Sequence, residues 1–405
     1  VTARGVVVVG AGLTAAVLAE TLRNEGWTGP VTIVGAEPHR PYERPVLSKG
    51  YLLGNEPRDA AFVHPPEWYP DHDVDLRTEV RVVAVDRVAA EAVLDDGTRL
   101  PYDDLVLATG ASPRRLDVPG ADLPGVRYLR RIEDADRLLA AFGDARRLAV
   151  VGGGWIGLEV TAAARAAGLE VTVLEAGDLP LGRVLGPEMA RVFVDLHREH
   201  GVDVRTGVQV RAIEADGGRR VAGVRLGDGS LVPADLVVVG IGAVPETGLA
   251  EQAGLEVRGG VVVDEHLRTA DPRILAAGDV ALAPRPALGG RALRVEHWAN
   301  ARRHGELAAR TIMGADAVDE RLPYFYTDQY DLGMEYVGYA EPEGPEAYDE
   351  VAVRGDLGRR ELIAFWLREG RAVAGMNVNV WDVTEDIEAL IRAGGGPDDR
   401  EWPVP

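Results

Sequence analysis

The sequence predicts an α/β protein with two parallel-sheet units, each opened by a strand–turn–helix motif, and a small C-terminal α+β domain. Three observations carry this prediction. A glycine-rich strand–turn–helix–strand plan occurs twice, three further apolar runs end in glycine, and the pattern changes beyond Arg321 to short strands bearing aromatic residues. Length and composition agree: 405 residues suit two or three domains, and 46% hydrophobic with 27% charged residues describe a globular chain.

In chain order, the apolar run Val6–Val9 leads into Gly10-Ala11-Gly12-Leu13-Thr14-Ala15, a helix closed by Gly26, and a second run Val31–Val34 ending near Glu37. The plan returns at Leu148–Val151, Gly152-Gly153-Gly154-Trp155-Ile156-Gly157, a helix closed by Gly168, and Val171–Leu174 ending at Glu175. Leu105–Gly110, Leu236–Gly242 and Arg273–Asp279 are strands with glycine at their carboxyl ends. Glu91–Leu100 and Arg220–Val232 alternate around Asp-Gly turns and are expected to form hairpins. A helix is expected near Asn300 and another from Thr384 to Arg392, with a loose Gly/Pro/Asp-rich tail from about residue 393.

Composition excludes several function classes. The chain contains no cysteine, so it supports no disulfide, thiolate metal site, iron–sulfur cluster or cysteine redox pair, and no metal centre is expected. A net charge of −21 argues against nucleic acid. No apolar run reaches the ~18 residues of a membrane span, and the chain does not start with a signal pattern, so a cytoplasmic protein without membrane attachment is expected. A single lysine, Lys49, stands among 43 arginines. That marks it as a candidate for a site requiring a compact ammonium, the alternative being chance survival on the surface.

A lone Gly-x-Gly-x-x-Gly is weak evidence. Here it stands twice after a strand and before a helix, each time followed at Rossmann spacing by an acid, Glu37 or Glu175. The glycines let the backbone approach a pyrophosphate, and the helix N-terminus supplies N–H donors. Two such motifs imply two dinucleotides, most simply a tightly held FAD and a diffusing nicotinamide. Glu175 points to NADH, because a carboxylate accepts hydrogen bonds from ribose hydroxyls and repels a 2′-phosphate. Ala176-Gly177-Asp178 offers no arginine to offset that repulsion.

Beyond these motifs, Pro41–Lys49, Leu105–Gly110, Gly152–Glu159, Gly240–Pro245, Ala277–Asp279, Val295–Asn300 and Phe325–Tyr330 span nearly the whole chain. In these stretches the sequence resembles the putidaredoxin reductase family, flavoprotein reductases that serve ferredoxins and rubredoxins in cytochrome P450 and dioxygenase systems. The resemblance implies a glutathione-reductase-like fold. Its expected parts are a discontinuous FAD-binding domain over 1–111 and 241–319, an NAD-binding domain over 112–240, and a C-terminal domain over 320–405.

It also implies roles for residues. Gly10, Gly12, Thr14 and Ala15 would cradle the FAD pyrophosphate, with Glu37 on the adenosine ribose, Val82 on the adenine and Arg130 near the pyrophosphate. Ala108-Thr109-Gly110 counts with the FAD contacts, Arg44 and Lys49 would line the flavin, and Asp279 would bind the ribityl chain. Glu296-His297-Trp298 would lead a helix whose N-terminus faces the flavin pyrimidine, and Tyr326 would lie against the ring. Gly152, Gly154, Ile156, Gly157 and Gly242 would surround NAD, with Arg183 covering its adenine or pyrophosphate. Lys49 and Glu159 are the implied catalytic pair: the lysine approaches flavin N5, and the carboxylate holds it and touches the nicotinamide carboxamide. Two positions depart from the family habit, Ala36 where Asp is frequent and Tyr326 where Trp is frequent.

The implied activity is hydride transfer from NADH to FAD and single-electron delivery to an iron–sulfur ferredoxin, by a monomer or weak dimer. Arg302, Arg303 and Arg310 are candidates for docking it, or else an ordinary solvated helix face. An oxidase or quinone reductase resembling apoptosis-inducing factor is one alternative, and an NADH-responsive association switch is another.

Overall fold

A computed structural model describes residues 5–404. The chain forms two compact units. The first comprises residues up to Glu43, Asp59–Ser112 and Val244–Pro323; the second comprises Arg44–Arg58, Pro113–Ala243 and Tyr324 onward.

The first unit is built on a five-stranded parallel sheet. Its order is Ile274–Ala276, Asp104–Leu107, Val6–Val9, Val31–Val34 and Val74–Arg77. Val6–Val9 and Asp104–Leu107 are buried throughout, as continuous apolar runs in a parallel sheet must be. The helix Leu13–Asn24 follows the first strand, and Gly26 ends it at φ +91°. Helix Trp298–Ile312 lies so close to it that a Cβ on Gly305 would stand 2.7 Å from Thr14 O. An antiparallel ribbon of Val82–Asp86, Glu91–Leu94 and Arg99–Pro101 supplies the first expected hairpin.

In the second unit, a parallel sheet runs in the order Asp203–Arg205, Glu170–Leu174, Arg147–Val151, Leu236–Val239 and Val126–Arg127. The helix Trp155–Ala166 follows Arg147–Val151, and Gly168 turns the chain at φ +88°. Val221–Leu226 and Leu231–Pro233 form the second expected hairpin. A five-stranded antiparallel sheet follows from Tyr324, with helix Thr384–Ala393 against it. Its aromatic residues explain its place in this unit: Trp366, Tyr336 and Phe325 share a core with Phe193, Leu185 and Trp155. The Trp366 indole donates to Leu185 O at 3.1 Å.

Two sequence expectations need adjusting. Residues 44–58 pack in the second unit, where Leu52 joins the core and Tyr51 Oη donates to Asp136 Oδ1 at 2.5 Å. The expected loose tail from about 393 is instead docked through residue 402. Trp402 packs on Phe365 with ring centroids 4.8 Å apart, its indole donates to Pro397 O at 2.9 Å, and Gly395 O accepts from Ala372 N. One aromatic anchor offsets the Gly/Pro composition that suggested disorder.

Candidate functional site

The first glycine motif forms a turn whose first position admits no side chain. Gly10 has φ +112°, and a Cβ there would fall 2.2 Å from Ala108 O. Gly12 is the helix N-cap in extended conformation, with nothing within 4 Å of a Cβ built on it. No side chain caps this helix and its first turn carries no acid, so its opening N–H groups and positive dipole end suit an anion. Thr14 is buried beside the turn Gly278-Asp279, where a Cβ on Gly278 would lie 2.6 Å from Thr14 Oγ1. Glu37 sits at the end of the second strand and accepts a hydrogen bond from Tyr42 Oη at 2.5 Å. Thr109 Oγ1 donates to Glu246 O at 2.7 Å, and Gly110 has φ +71°.

Not every expected contact is of the same kind. Ala15 is fully buried and donates its N–H to Gly12 O, within the glycine turn itself. Val82 belongs to the apolar core, which leaves its main chain as the part able to meet an adenine. Glu296 is exposed and paired with Arg294, whose guanidinium also donates to Asp279 O at 3.3 Å. His297 is the N-cap of the helix Trp298–Ile312, and burial pushes its imidazole down to about 4. Of the docking candidates on that helix, Arg302 pairs with Glu43, Arg303 donates to Leu322 O at 2.5 Å, and Arg310 pairs with Glu25.

Sequence reading missed His304. It is buried, and its Nδ1 accepts the Gly278 N–H at 3.1 Å, fixing the turn that carries Asp279. Burial and the Arg285 charge lower it to about 3, so the ring is neutral with its proton on Nε2. His197, in the second unit, is fully buried and lowered to about 4, again first by burial. Both groups bind a proton more readily when unfolded, near pH 6.5. Between that value and their folded pKa values the unfolded state holds more protons, so stability rises with pH across the window. Stability is therefore expected to fall by several kcal/mol between about pH 6.5 and pH 4, each pKa unit contributing about 1.4 kcal/mol per histidine. Denaturant unfolding at stepped pH checks this, and His304→Gln should reduce the slope.

The second motif repeats the first in the second unit. Gly152 has φ +100°, and a Cβ on it would meet Gly240 O at 2.5 Å. Gly154 is an N-cap with no side-chain cap and no acid in the first helical turn. A Cβ on Gly157 would lie 2.3 Å from Gly152 O, so only glycine lets turn and helix approach here. Ile156 remains 44% exposed in that first turn, an apolar surface beside an open anion cradle. Glu175 accepts from Gly153 N and Gly177 N, both at 2.7 Å, so the acid also staples the glycine turn. Gly242 has φ +101° with nothing within 4 Å of a Cβ, and Arg183 is exposed.

Lys49 and Glu159 meet as expected. Their ion pair is the centre of a cluster in the second unit, with Glu159 5% exposed and the lysine side chain 13%. The same Glu159 Oε1 accepts from Thr327 Oγ1 at 2.6 Å, and Oε2 accepts from Ser48 Oγ at 2.5 Å. Asp328 Oδ2 lies 3.9 Å from the ammonium, which also sits 5.1 Å from the Tyr326 ring centroid. Arg44 donates to Arg130 O at 2.5 Å in the same unit. Ser48 and Thr327 lie within Pro41–Lys49 and Phe325–Tyr330, where their residue types alone signal no role. Alternation in the strand Tyr324–Gln329, which buries Phe325, Thr327 and Gln329, was the available signal.

The residues present fit two dinucleotides. Each cradle pairs an uncapped helix start with a first glycine at which a side chain would collide, and each has a carboxylate just beyond the next strand. The family comparisons agree with two dinucleotide cofactors, FAD and NAD(H). Residues 4–305 match the family described as pyridine nucleotide-disulphide oxidoreductase, and residues 324–402 match the family described as reductase C-terminal. The chain belongs to the putidaredoxin reductase-like ferredoxin reductases within that class.

It is 39% identical to putidaredoxin reductase of Pseudomonas putida, over 92% of this chain and 88% of that protein. Identity to the ferredoxin–NAD(+) reductase component of the anthranilate 1,2-dioxygenase system of Burkholderia cepacia is 41%, covering 98% and 97%. Among solved structures, the covalent putidaredoxin reductase–putidaredoxin complex superposes with a TM-score of 0.92 at 37% identity, covering 96% of this chain and 93% of that one. The fold is thus the glutathione-reductase-like α/β architecture expected. Among the described residues, no helix is long and apolar enough to cross a membrane.

Proposed function

We propose that this chain is an NADH-dependent flavoprotein reductase that passes electrons to an iron–sulfur ferredoxin serving an oxygenase. The observation that carries the reading is the pair of nucleotide cradles in a chain with no cysteine. Without an internal disulfide, the electrons must leave to an acceptor outside the chain. Relatives named as ferredoxin–NAD(+) reductase components, and a relative solved in covalent complex with putidaredoxin, support an iron–sulfur partner.

When bound, FAD supplies the conversion of a two-electron hydride into single electrons. The protein supplies positioning and charge. Gly10, Gly12 and the first helix start would hold the FAD pyrophosphate, Glu37 the adenosine ribose and Asp279 the ribityl chain. Gly152, Gly154 and Gly157 would hold the pyrophosphate of NADH. Lys49 would present its ammonium to the reacting ring, and the neutral His297 would open a helix N-terminus toward negative charge. Glu159 uses three of its roughly four acceptor sites on Lys49, Thr327 and Ser48, which leaves one on Oε2 for an amide donor. In this reading 1–111 with 241–319, residues 44–58 excepted, form the FAD domain, 112–240 the NAD domain and 320–405 the C-terminal domain. The protein works as a cytoplasmic monomer or weak dimer.

Anaerobic mixing with NADH or NADPH, then with a panel of ferredoxins, tests the proposal. Fast bleaching by NADH and reoxidation by a ferredoxin are expected; consumption of the electrons only by oxygen or quinones would overturn it. Glu175→Ala should lower kcat/KM for NADH about 100-fold, because two charge-assisted ribose bonds are lost together with the staple on the turn. NADPH should gain relative to NADH, since the repulsion on its phosphate is removed.

A further inference from the structure

The carboxylate of Glu159 stands at one end of a hydrogen-bonded chain through the interior of the second unit. Tyr330 Oη faces His197 Nδ1 at 3.3 Å. His197 Nε2 faces Gln329 Oε1 at 2.9 Å, Gln329 Nε2 donates to Thr327 Oγ1 at 3.1 Å, and Thr327 Oγ1 donates to Glu159 Oε1 at 2.6 Å. His197, Gln329, Thr327 and Glu159 are all at least 95% buried.

The chemistry of each link sets its direction. A neutral imidazole facing a carbonyl oxygen must carry its proton on Nε2, so Nδ1 accepts from the tyrosine hydroxyl. The amide then donates to the threonine oxygen, and the threonine proton is left for the carboxylate. Every donor in the chain points toward Glu159. Aligned hydrogen bonds of this kind strengthen one another in a low-dielectric interior.

We propose that Tyr330, His197, Gln329 and Thr327 form a one-directional relay that orients the Glu159 carboxylate toward Lys49, making Thr327 and Gln329 positioning residues for hydride transfer. The proposal rests on the reading of Lys49 and Glu159 given above. Four buried polar side chains need partners whatever their use. That need alone does not require the chain to end on the carboxylate that holds the one lysine. Nor is the relay a proton wire, because the Gln329 amide carries no proton that it readily exchanges between its oxygen and nitrogen. Its effect is orientation. The charged and titratable groups around it are His197, His200, Tyr330 and Arg165 at one end, and Lys49, Glu159, Asp328 and Glu335 at the other.

The single lysine provides a readout independent of turnover. Biosynthetic labelling with 13C at lysine Cε gives one resonance in the flavin-loaded protein, reporting the environment of Lys49. Thr327→Val, close in shape but without the hydroxyl, should move that resonance and slow flavin reduction at saturating NADH about 10-fold, as the loss of one charge-assisted hydrogen bond implies. The NADH concentration for half-saturation should stay within about 2-fold, because orientation and not nucleotide affinity is altered. Gln329→Met should move both readouts the same way by a smaller factor, and Thr327→Ser should restore both. An unmoved resonance and a wild-type rate in Thr327→Val would overturn the relay, as would a Thr327→Ser protein as impaired as the valine variant. If the wild-type flavin is not reduced by NADH while the Lys49 signal still shifts in Thr327→Val, the functional reading fails and the relay stands.

Discussion

Gly10→Ala should yield a protein that purifies without flavin, while Gly152→Ala should yield one that keeps its flavin but no longer saturates with NADH. The reasons are geometric and equivalent in the two units. An alanine Cβ at position 10 would lie 2.2 Å from Ala108 O, and at position 152 it would lie 2.5 Å from Gly240 O. Both obstacles are backbone atoms of the adjoining strand end, and both positions have φ above +100° or at it. Neither a rotamer change nor a small side-chain shift relieves them. Each substitution therefore displaces the glycine turn at a local cost of about 3 kcal/mol or more. The turn is what brings the helix N–H groups to a pyrophosphate, so nucleotide affinity suffers beyond stability. Flavin content by absorbance and NADH titration of the half-saturating concentration check the pair. An increase of at least about 30-fold is expected for Gly152→Ala, equal to about 2 kcal/mol of lost binding. Equal loss of flavin in both variants would refute the assignment of one cofactor to each motif.

These two turns were legible in the sequence because their constraint is local. A strand end, a glycine at positive φ and a helix start follow one another within ten residues, so spacing alone reveals them. Lys49 and Glu159 were legible for another reason: a count of one lysine, and a motif resemblance. What escaped the sequence reading depends on tertiary contact. Ser48, Thr327 and Gln329 are ordinary polar residues until the fold buries them around one carboxylate. His197 lies more than 100 residues from its partner Gln329, on a helix with no motif of its own. His304 escapes for a related reason, since its partner is a backbone N–H, that of Gly278, which no residue type reveals. The tail was misread because composition was weighed without Trp402, whose ring has an apolar partner in Phe365. Residues 44–58 are continuous in sequence with the first unit, yet Leu52 and Tyr51 find their partners in the second.

Removing the lysine should separate stability from chemistry. Lys49→Met leaves the Glu159 carboxylate buried with only Ser48 and Thr327 as partners, at an expected cost of about 3 kcal/mol. The double variant Lys49→Met/Glu159→Leu removes both charges and should recover part of that stability, because the uncompensated charge is gone while the Ser48 and Thr327 hydroxyls lose their acceptor. Hydride transfer should fall at least about 100-fold in both variants, since neither retains a preorganised positive charge for the ring. Lys49→Arg probes what a charge count cannot. It keeps a cation beside the buried Glu159 carboxylate, so the fold should be destabilised less than in Lys49→Met. A planar guanidinium does not reproduce the reach of an ammonium that contacts Glu159 while lying 5.1 Å from the Tyr326 ring centroid. The rate of flavin reduction should therefore remain about 10-fold or more below wild type. A Lys49→Arg protein that reduces its flavin at the wild-type rate would make the single lysine among 43 arginines an accident of composition.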